Sequence, residues 1–316
     1  MRRWALVVVV LACGVAAAQE PAKSDVVLTL AADKAEYILG DDVQIEATLA
    51  NNGEKEIELT ELAFDDRSLS FDVTFETAPG KPKQFLFSVI RPDPHLVDRV
   101  PPPRVSLKAK KSVIALFRVP TLKPGPLTIT GVYKGSDKEV KSASLALKVS
   151  PQAGDAARLA AILDTSKGTF QIDLLPEEAP NNVSNFVALA RRGFYNAMIF
   201  HRVVKNSWIQ TGCPYDNGYG GPGYSVRSEG ESQSLVHELG VVSMSGNMKT
   251  NFTGSQFFIC LTKIPAFDKK FTIIGRVPDA GQDTIRQIGG VDVDKQTDRP
   301  TKEDVRLKEV KIVAVK

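Results

Sequence analysis

An arginine stands inside an apolar run, Phe200-His201-Arg202-Val203-Val204, and Trp208-Ile209-Gln210 follows it closely. Further along, Gly254-Ser255-Gln256-Phe257-Phe258-Ile259-Cys260 sets a glutamine between a glycine turn and two phenylalanines. Most of the chain reads as β-structure, in which alternate side chains share a face. A lone arginine in such a run is costly to bury unless something uses it. The two segments read as one wall of a site that binds an extended peptide and acts on its backbone.

The elements around these residues are legible. Leu159 to Leu163 and Thr169 to Leu174 read as strands joined by a polar turn at 164–168. Val183, Phe186, Val187 and Ala190 then recur at helical spacing, with Pro180 suited to a first turn and Gly193 to a stop. His201 reads as a hydrogen-bonded core histidine, and His237 as a surface or strand-end residue.

The first half of the chain is different. Val43, Ile45, Ala47 and Leu49 alternate with Gln44, Glu46 and Thr48, the period of a half-buried strand. Asn51-Asn52-Gly53 is a turn signal, since asparagine and glycine tolerate positive φ. Seven or eight such strands without a helical period predict an antiparallel β-sandwich over residues 25–150. Pro92 to Pro103 breaks the rhythm and reads as a loop with polyproline character, either an inter-sheet crossover or an interaction loop; His95 sits in it alone. Residues 151–156 form a small, polar linker, and 157–316 a second domain.

Residues 1–18 have the form of a signal peptide: a basic start at Arg2 and Arg3, an apolar run from Ala5 to Val15, then Ala16-Ala17-Ala18. The run is too short to span a bilayer, which takes roughly 20 residues. A rival signal lies within it, because Val10-Leu11-Ala12-Cys13-Gly14 resembles a bacterial lipobox with Cys13 as the acylated residue. Either route predicts export to the periplasm or the bacterial cell envelope, with contact to the membrane only through a lipid at Cys13. The formal charge of +3 falls further once the leader is removed, and no aromatic-basic stripe points to nucleic acid. Cys213 and Cys260 read as buried free thiols rather than a disulfide framework.

Taken in order, Gly193-Phe194-Tyr195, Phe200-His201-Arg202-Val203-Val204, Ile209-Gln210, Gly218-Tyr219-Gly220-Gly221-Pro222-Gly223-Tyr224, Glu238-Leu239-Gly240-Val241-Val242-Ser243-Met244 and Gly254-Ser255-Gln256-Phe257-Phe258 resemble the cyclophilin-type peptidyl-prolyl isomerases. Tyr37-Ile38-Leu39-Gly40-Asp41-Asp42-Val43 more loosely resembles immunoglobulin-like modules of exported bacterial proteins, with no Cys-Trp-Cys core. The resemblances imply a mainly β protein: an Ig-like sandwich, then a closed eight-stranded antiparallel barrel with a helix over each end, the second near Asp279 to Ile288. They imply rotation of Xaa-Pro bonds in folding proteins, with proline-containing segments as partners and neither cofactor nor metal. Arg202 matches the family's catalytic arginine and Gln210 the glutamine that helps hold the substrate backbone. Gln256, Phe258, Trp208, Met244, Ser245, Phe267 and Phe271 match positions along the proline pocket and peptide groove.

The chain departs from the family pattern in places. Ser207 stands where a pocket phenylalanine is usual, and Trp208 where a methionine is. Ala266 and Phe267 follow Cys260 where a tryptophan or histidine and then a leucine are common, and Phe271 replaces a pocket histidine. The stretch 246–253 is one residue longer than usual. These changes leave a second expectation open, a cyclophilin-like module that binds peptide and catalyses little. A third makes the first domain the working part.

Overall fold

The computed structural model describes residues 25–60, 68–78, 81–87, 104–134, 139–151, 157–247 and 251–316. The leader with Cys13, the proline-rich loop with His95, and most of the 151–156 linker lie outside the described residues.

The first half forms three sheets. Val26–Ala32, Asp42–Asn51 and Ser112–Pro120 make an antiparallel three-stranded sheet. A six-stranded sheet runs Glu36–Ile38, Leu145–Ser150, Gly125–Lys134, Leu69–Ala78, Lys81–Phe87, with Glu139–Lys141 also paired to Gly125–Lys134. Ile57–Thr60 and Arg104–Leu107 pair separately. Val43, Ile45, Ala47 and Leu49 are fully buried while Gln44 and Glu46 are exposed, as the alternation requires. They share one core with Leu69, Phe71, Ile129 and Tyr133 of the larger sheet, and Phe71 meets Phe117 edge-on at 5.4 Å.

Three expectations need correction. Eleven strands are present among the described residues, Arg104–Leu107 and Glu139–Lys141 being among those too short to show a period. The pairing is not wholly antiparallel: Leu145–Ser150 runs parallel to Glu36–Ile38. The 51–53 turn uses no positive φ. Asn51 holds it instead, accepting from the Gly53 amide at 3.0 Å and donating Nδ2 to the Lys55 and Leu107 carbonyls.

The second half is one curled antiparallel sheet of ten strands. Its path is Met198–Ile199, Arg306–Val315, Arg158–Thr165, Gly168–Leu174, Ile273–Arg276, Val241–Asn247, Phe252–Cys260, Trp208–Thr211, Arg202–Val204, and Val226–Arg227 also pairs with Phe252–Cys260. Of the expected eight-stranded barrel, the described residues show this curled antiparallel sheet. The path's two end strands are separated in sequence only by Phe200 and His201, so the sheet bends back on itself there, and among the described residues no ladder joins its ends.

Two helices pack on the sheet, α1 (Pro180–Arg191) and α2 (Asp279–Gly289). The α1 start is stabilised by the Glu229 carboxylate, which accepts from the Asn181 and Asn182 amides. Its end is a Schellman turn: Gly193, at φ +69°, donates to Ala190 and Phe194 donates to Leu189. Phe186 and Tyr195 meet Phe257 edge-on at 5.4 and 5.5 Å and anchor the helix in the core. Arg191 on α1 pairs with Asp42 at 3.0 Å, and Lys123 with Glu177 at 3.1 Å, so ion pairs join the two halves.

Gly212 sits at φ +88°, and a Cβ there would lie 2.5 Å from the Ser255 carbonyl oxygen. Backbone strain and overpacking add. Gly212→Ala is therefore expected to lower unfolding free energy by about 2–4 kcal/mol, read from urea denaturation; an unchanged midpoint refutes it.

Candidate active site

Strand register builds the site. Arg202 pairs with Gln210, Gln210 with Phe258, and Phe258 with Ser243, so four residues from distant parts of the sequence stand in one row across four strands. Cross-strand partners point to the same face. The adjacent row, Val203, Ile209, Ile259 and Val242, is fully buried and faces the core.

The Arg202 side chain is 45% exposed, so the penalty for burying a lone charge does not arise. Alternation puts Val203 inward and the guanidinium outward. Its Nε and Nη2 donate to Asp298 Oδ2 at 3.2 and 3.1 Å, and the Trp208 ring lies 5.3 Å away. Gln210 Nε2 donates to Gln256 Oε1 at 3.0 Å and to Ser245 Oγ at 3.3 Å. Gln256 Nε2 in turn donates to the Gly218 and Gly220 carbonyls at 2.8 and 2.9 Å. The two glutamines thus hold each other and the glycine-rich loop. A cavity of about 470 Å³ opens beside them, lined by Gln210, Ser245, Gln256, Tyr219, Tyr224 and Phe252 among others. The glycine run was visible in the sequence; that it lines a cavity was not.

Phe258 is the centre of an aromatic cluster. Phe267 and Phe271 meet it edge-on at 5.5 and 5.3 Å, and each other at 5.0 Å. Trp208 meets Phe267 at 5.2 Å. Together with neighbouring side chains they leave Phe258 only 3% exposed. Met244 is placed elsewhere. It is fully buried in the core opposite Phe257, one residue out of phase with Ser243 and Ser245, and is not among the residues lining the cavity beside Gln210.

Both histidines correct the sequence reading. His237 is not on the surface: its side chain is fully buried. Nδ1 lies 2.9 Å from Asp268 Oδ1, which also accepts from the His237 amide at 2.7 Å, and Nε2 lies 2.9 Å from Ser243 Oγ. Its ring stacks on Phe258 at 6.0 Å. Asp268 and Ser243 come from different elements, so the sequence carried no signal for this triad. His201 is buried, as expected, but among the described residues neither ring nitrogen has a partner in good hydrogen-bond geometry, Gln256 being a neighbour. Cys213 and Cys260 are free and buried, and burial pushes the Cys260 thiol up to about 12.

Burial lowers the pKa of both histidines below the ordinary 6.5; at His237 the Asp268 carboxylate opposes the shift without cancelling it. The unfolded chain then binds more protons than the folded one as pH falls through 6.5, so stability is full above that value and declines below it. The thermal midpoint is expected to fall between about pH 7.5 and 5.5, above the range where carboxylates titrate. A flat midpoint across that window would show the histidines to be uncoupled from folding.

The family model for cyclophilin type peptidyl-prolyl cis-trans isomerase/CLD matches residues 160–312. A peptidyl-prolyl cis-trans isomerase-like 1 of Aspergillus fumigatus is 43% identical over 155 residues, 48% of this chain and 94% of that one. A peptidyl-prolyl cis-trans isomerase of Helicobacter pylori is 40% identical over 120 residues, 38% of this chain and 73% of that one. Among solved structures, a cyclophilin type isomerase of Cryptosporidium parvum, crystallised in the presence of the dipeptide Ala-Pro, is 28% identical with a TM-score of 0.46, covering 49% of this chain and 99% of its own. With two relatives matched over most of their lengths, the chain belongs to the cyclophilin type peptidyl-prolyl cis-trans isomerases.

Proposed function

We propose that this chain is an exported prolyl isomerase that speeds Xaa-Pro rotation while proteins of a bacterial envelope fold. The row of Arg202, Gln210 and Phe258, whose middle member Gln210 lines the cavity, carries the reading. Rotation of a peptide bond is resisted by about 18–20 kcal/mol, because nitrogen shares its lone pair with the carbonyl. For Xaa-Pro the two isomers are close in energy and exchange slowly. A catalyst must favour the twisted state, in which the lone pair is localised on nitrogen. A donor that meets that nitrogen, or the proline carbonyl, stabilises the twist selectively. Arg202 is such a donor, since its fork stays charged and is half exposed. Gln210 and Gln256 hold the backbone of the bound segment, and the ring cluster around Phe258 receives the proline. Neither a nucleophile nor a metal is needed for this step.

Export rests on the leader's composition, with cleavage after Ala18 or acylation at Cys13 as its two routes. The immunoglobulin-like reading of the first half is supported by two sheets on a shared core, and it gives that half the role of holding the isomerase near its clients. One observation favours a second reading, a peptide-binding module with little catalysis: Phe258 is 3% exposed, so a proline reaches its ring only if neighbouring side chains part. Exchange spectroscopy on Xaa-Pro peptides with the full chain separates the two. Accelerated exchange supports the isomerase; binding without acceleration supports the module. The mass of the mature N-terminus reports the route of export.

A further inference from the structure

Arg202 is the charged member of the row, and its guanidinium is held by a residue outside it. Asp298 lies far along the sequence, in the stretch between α2 and the last strand. It grips two successive residues at once. Its carbonyl accepts from the Val203 amide at 2.7 Å, and its Oδ2 accepts both Nε and Nη2 of Arg202. One residue therefore fixes both the strand that carries the arginine and the arginine's fork.

The mount beneath Asp298 is itself built. Asp298 has φ +57°, a left-handed conformation that aspartate tolerates better than most residues. Its amide donates to the Asp294 carbonyl at 2.9 Å. The Asp294 carboxylate accepts from the amides of Gln296 and Thr297 and from the Thr297 hydroxyl, each at 2.9 Å. A bridge between Val293 and Pro300 closes the loop at its base. Arg299 donates to the Asp216 carbonyl at 2.9 Å and ties the loop to the segment after Thr211.

A guanidinium has five N–H donors in a rigid plane. Asp298 engages two of them along one edge, and the Trp208 ring lies 5.3 Å from the guanidinium carbon. The Nη1 hydrogens and one Nη2 hydrogen remain for a substrate. An arginine clamped this way meets the twisted amide without first losing rotational freedom, which is the advantage of a preorganised donor. The opposite effect also exists, because a carboxylate offsets the arginine's charge. With the pair 45% and 29% exposed, water already screens that offset, so orientation is the larger contribution.

We infer that Asp298 is a positioning residue for Arg202, holding its guanidinium in register with the peptide groove. The inference rests on the reading of Arg202 as the group that stabilises the twisted amide. Asp298→Gly removes the carboxylate and keeps the left-handed backbone; Asp298→Asn keeps an acceptor oxygen and removes the charge. Exchange line shapes on an Ala-Pro peptide, with the full chain, give kcat and KM separately. Asp298→Gly is expected to lower kcat about 10-fold with KM unchanged, and Asp298→Asn to fall between it and the parent. In an Arg202→Ala background the Asp298→Gly change is expected to have no effect, which a merely structural role would not produce. A parental or raised kcat in Asp298→Gly, or an equal loss in both backgrounds, overturns the inference while Arg202→Ala alone is impaired. If Arg202→Ala alone is fully active, the reading of Arg202 falls and this inference falls with it.

Discussion

Arg202→Ala is expected to lower kcat/KM for an Ala-Pro peptide by roughly 10²–10³-fold, the loss that follows when a preorganised donor is removed from a twisted amide. The fold should survive. The side chain is 45% exposed, and a surface ion pair contributes at most about 1 kcal/mol. The ladder from Arg202 to Gln210 is a backbone ladder and keeps its register. Arg202→Lys separates charge from geometry, since lysine restores a cation without the planar fork and cannot meet Asp298 through two donors. It should regain little of the lost rate. Circular dichroism and the urea midpoint monitor folding alongside. An alanine variant as active as the parent would remove Arg202 from the mechanism.

Phe258→Ala is expected to cost about 3–5 kcal/mol of folding free energy, the range for a phenylalanine deleted from a packed interior. Phe258 meets Phe267 and Phe271 edge-on, stacks on His237, and belongs with Val241, Cys260 and Ile273 to a cluster separate from the main core. Removing the ring leaves a hole that these neighbours fill only in part. On the proposed reading, in which the ring receives the proline, KM for Xaa-Pro peptides should rise as well. Phe258→Leu distinguishes packing from recognition. If the residue only fills space, leucine restores both stability and KM; if the ring face receives proline, stability returns and KM does not. Urea midpoints and exchange line shapes on the same samples give both quantities.

The comparison of sequence and structure turns on which contacts are local. Whereas Gln210 and Phe258 were singled out by the resemblance to the family's motifs, Arg202 and Gln256 stood out as candidates because an apolar run and a glycine turn mark them within short stretches. The α1 helix and its stop were legible for the same reason: Pro180, the apolar stripe and Gly193 lie within one helix length. Met244 was misplaced although the same alternation governs it, since its neighbours Ser243 and Ser245 point to the other face and a register shift follows in the ladder.

What the sequence by itself determined was the α1 helix with its stop and the half-buried strands of the first half. Each follows from backbone period and turn chemistry, which act over a few residues. Only the tertiary structure decided that Ser243 and Asp268 enclose His237, that Asp298 clamps Arg202, that Glu36–Ile38 pairs in parallel with Leu145–Ser150, and that the curled sheet ends on either side of Phe200 and His201. Apart from Ser243 and His237, those pairings join residues far apart along the chain. Hydrogen bonds and ion pairs of that kind leave no period in the sequence, because either partner satisfies the same local rules wherever the other one lies.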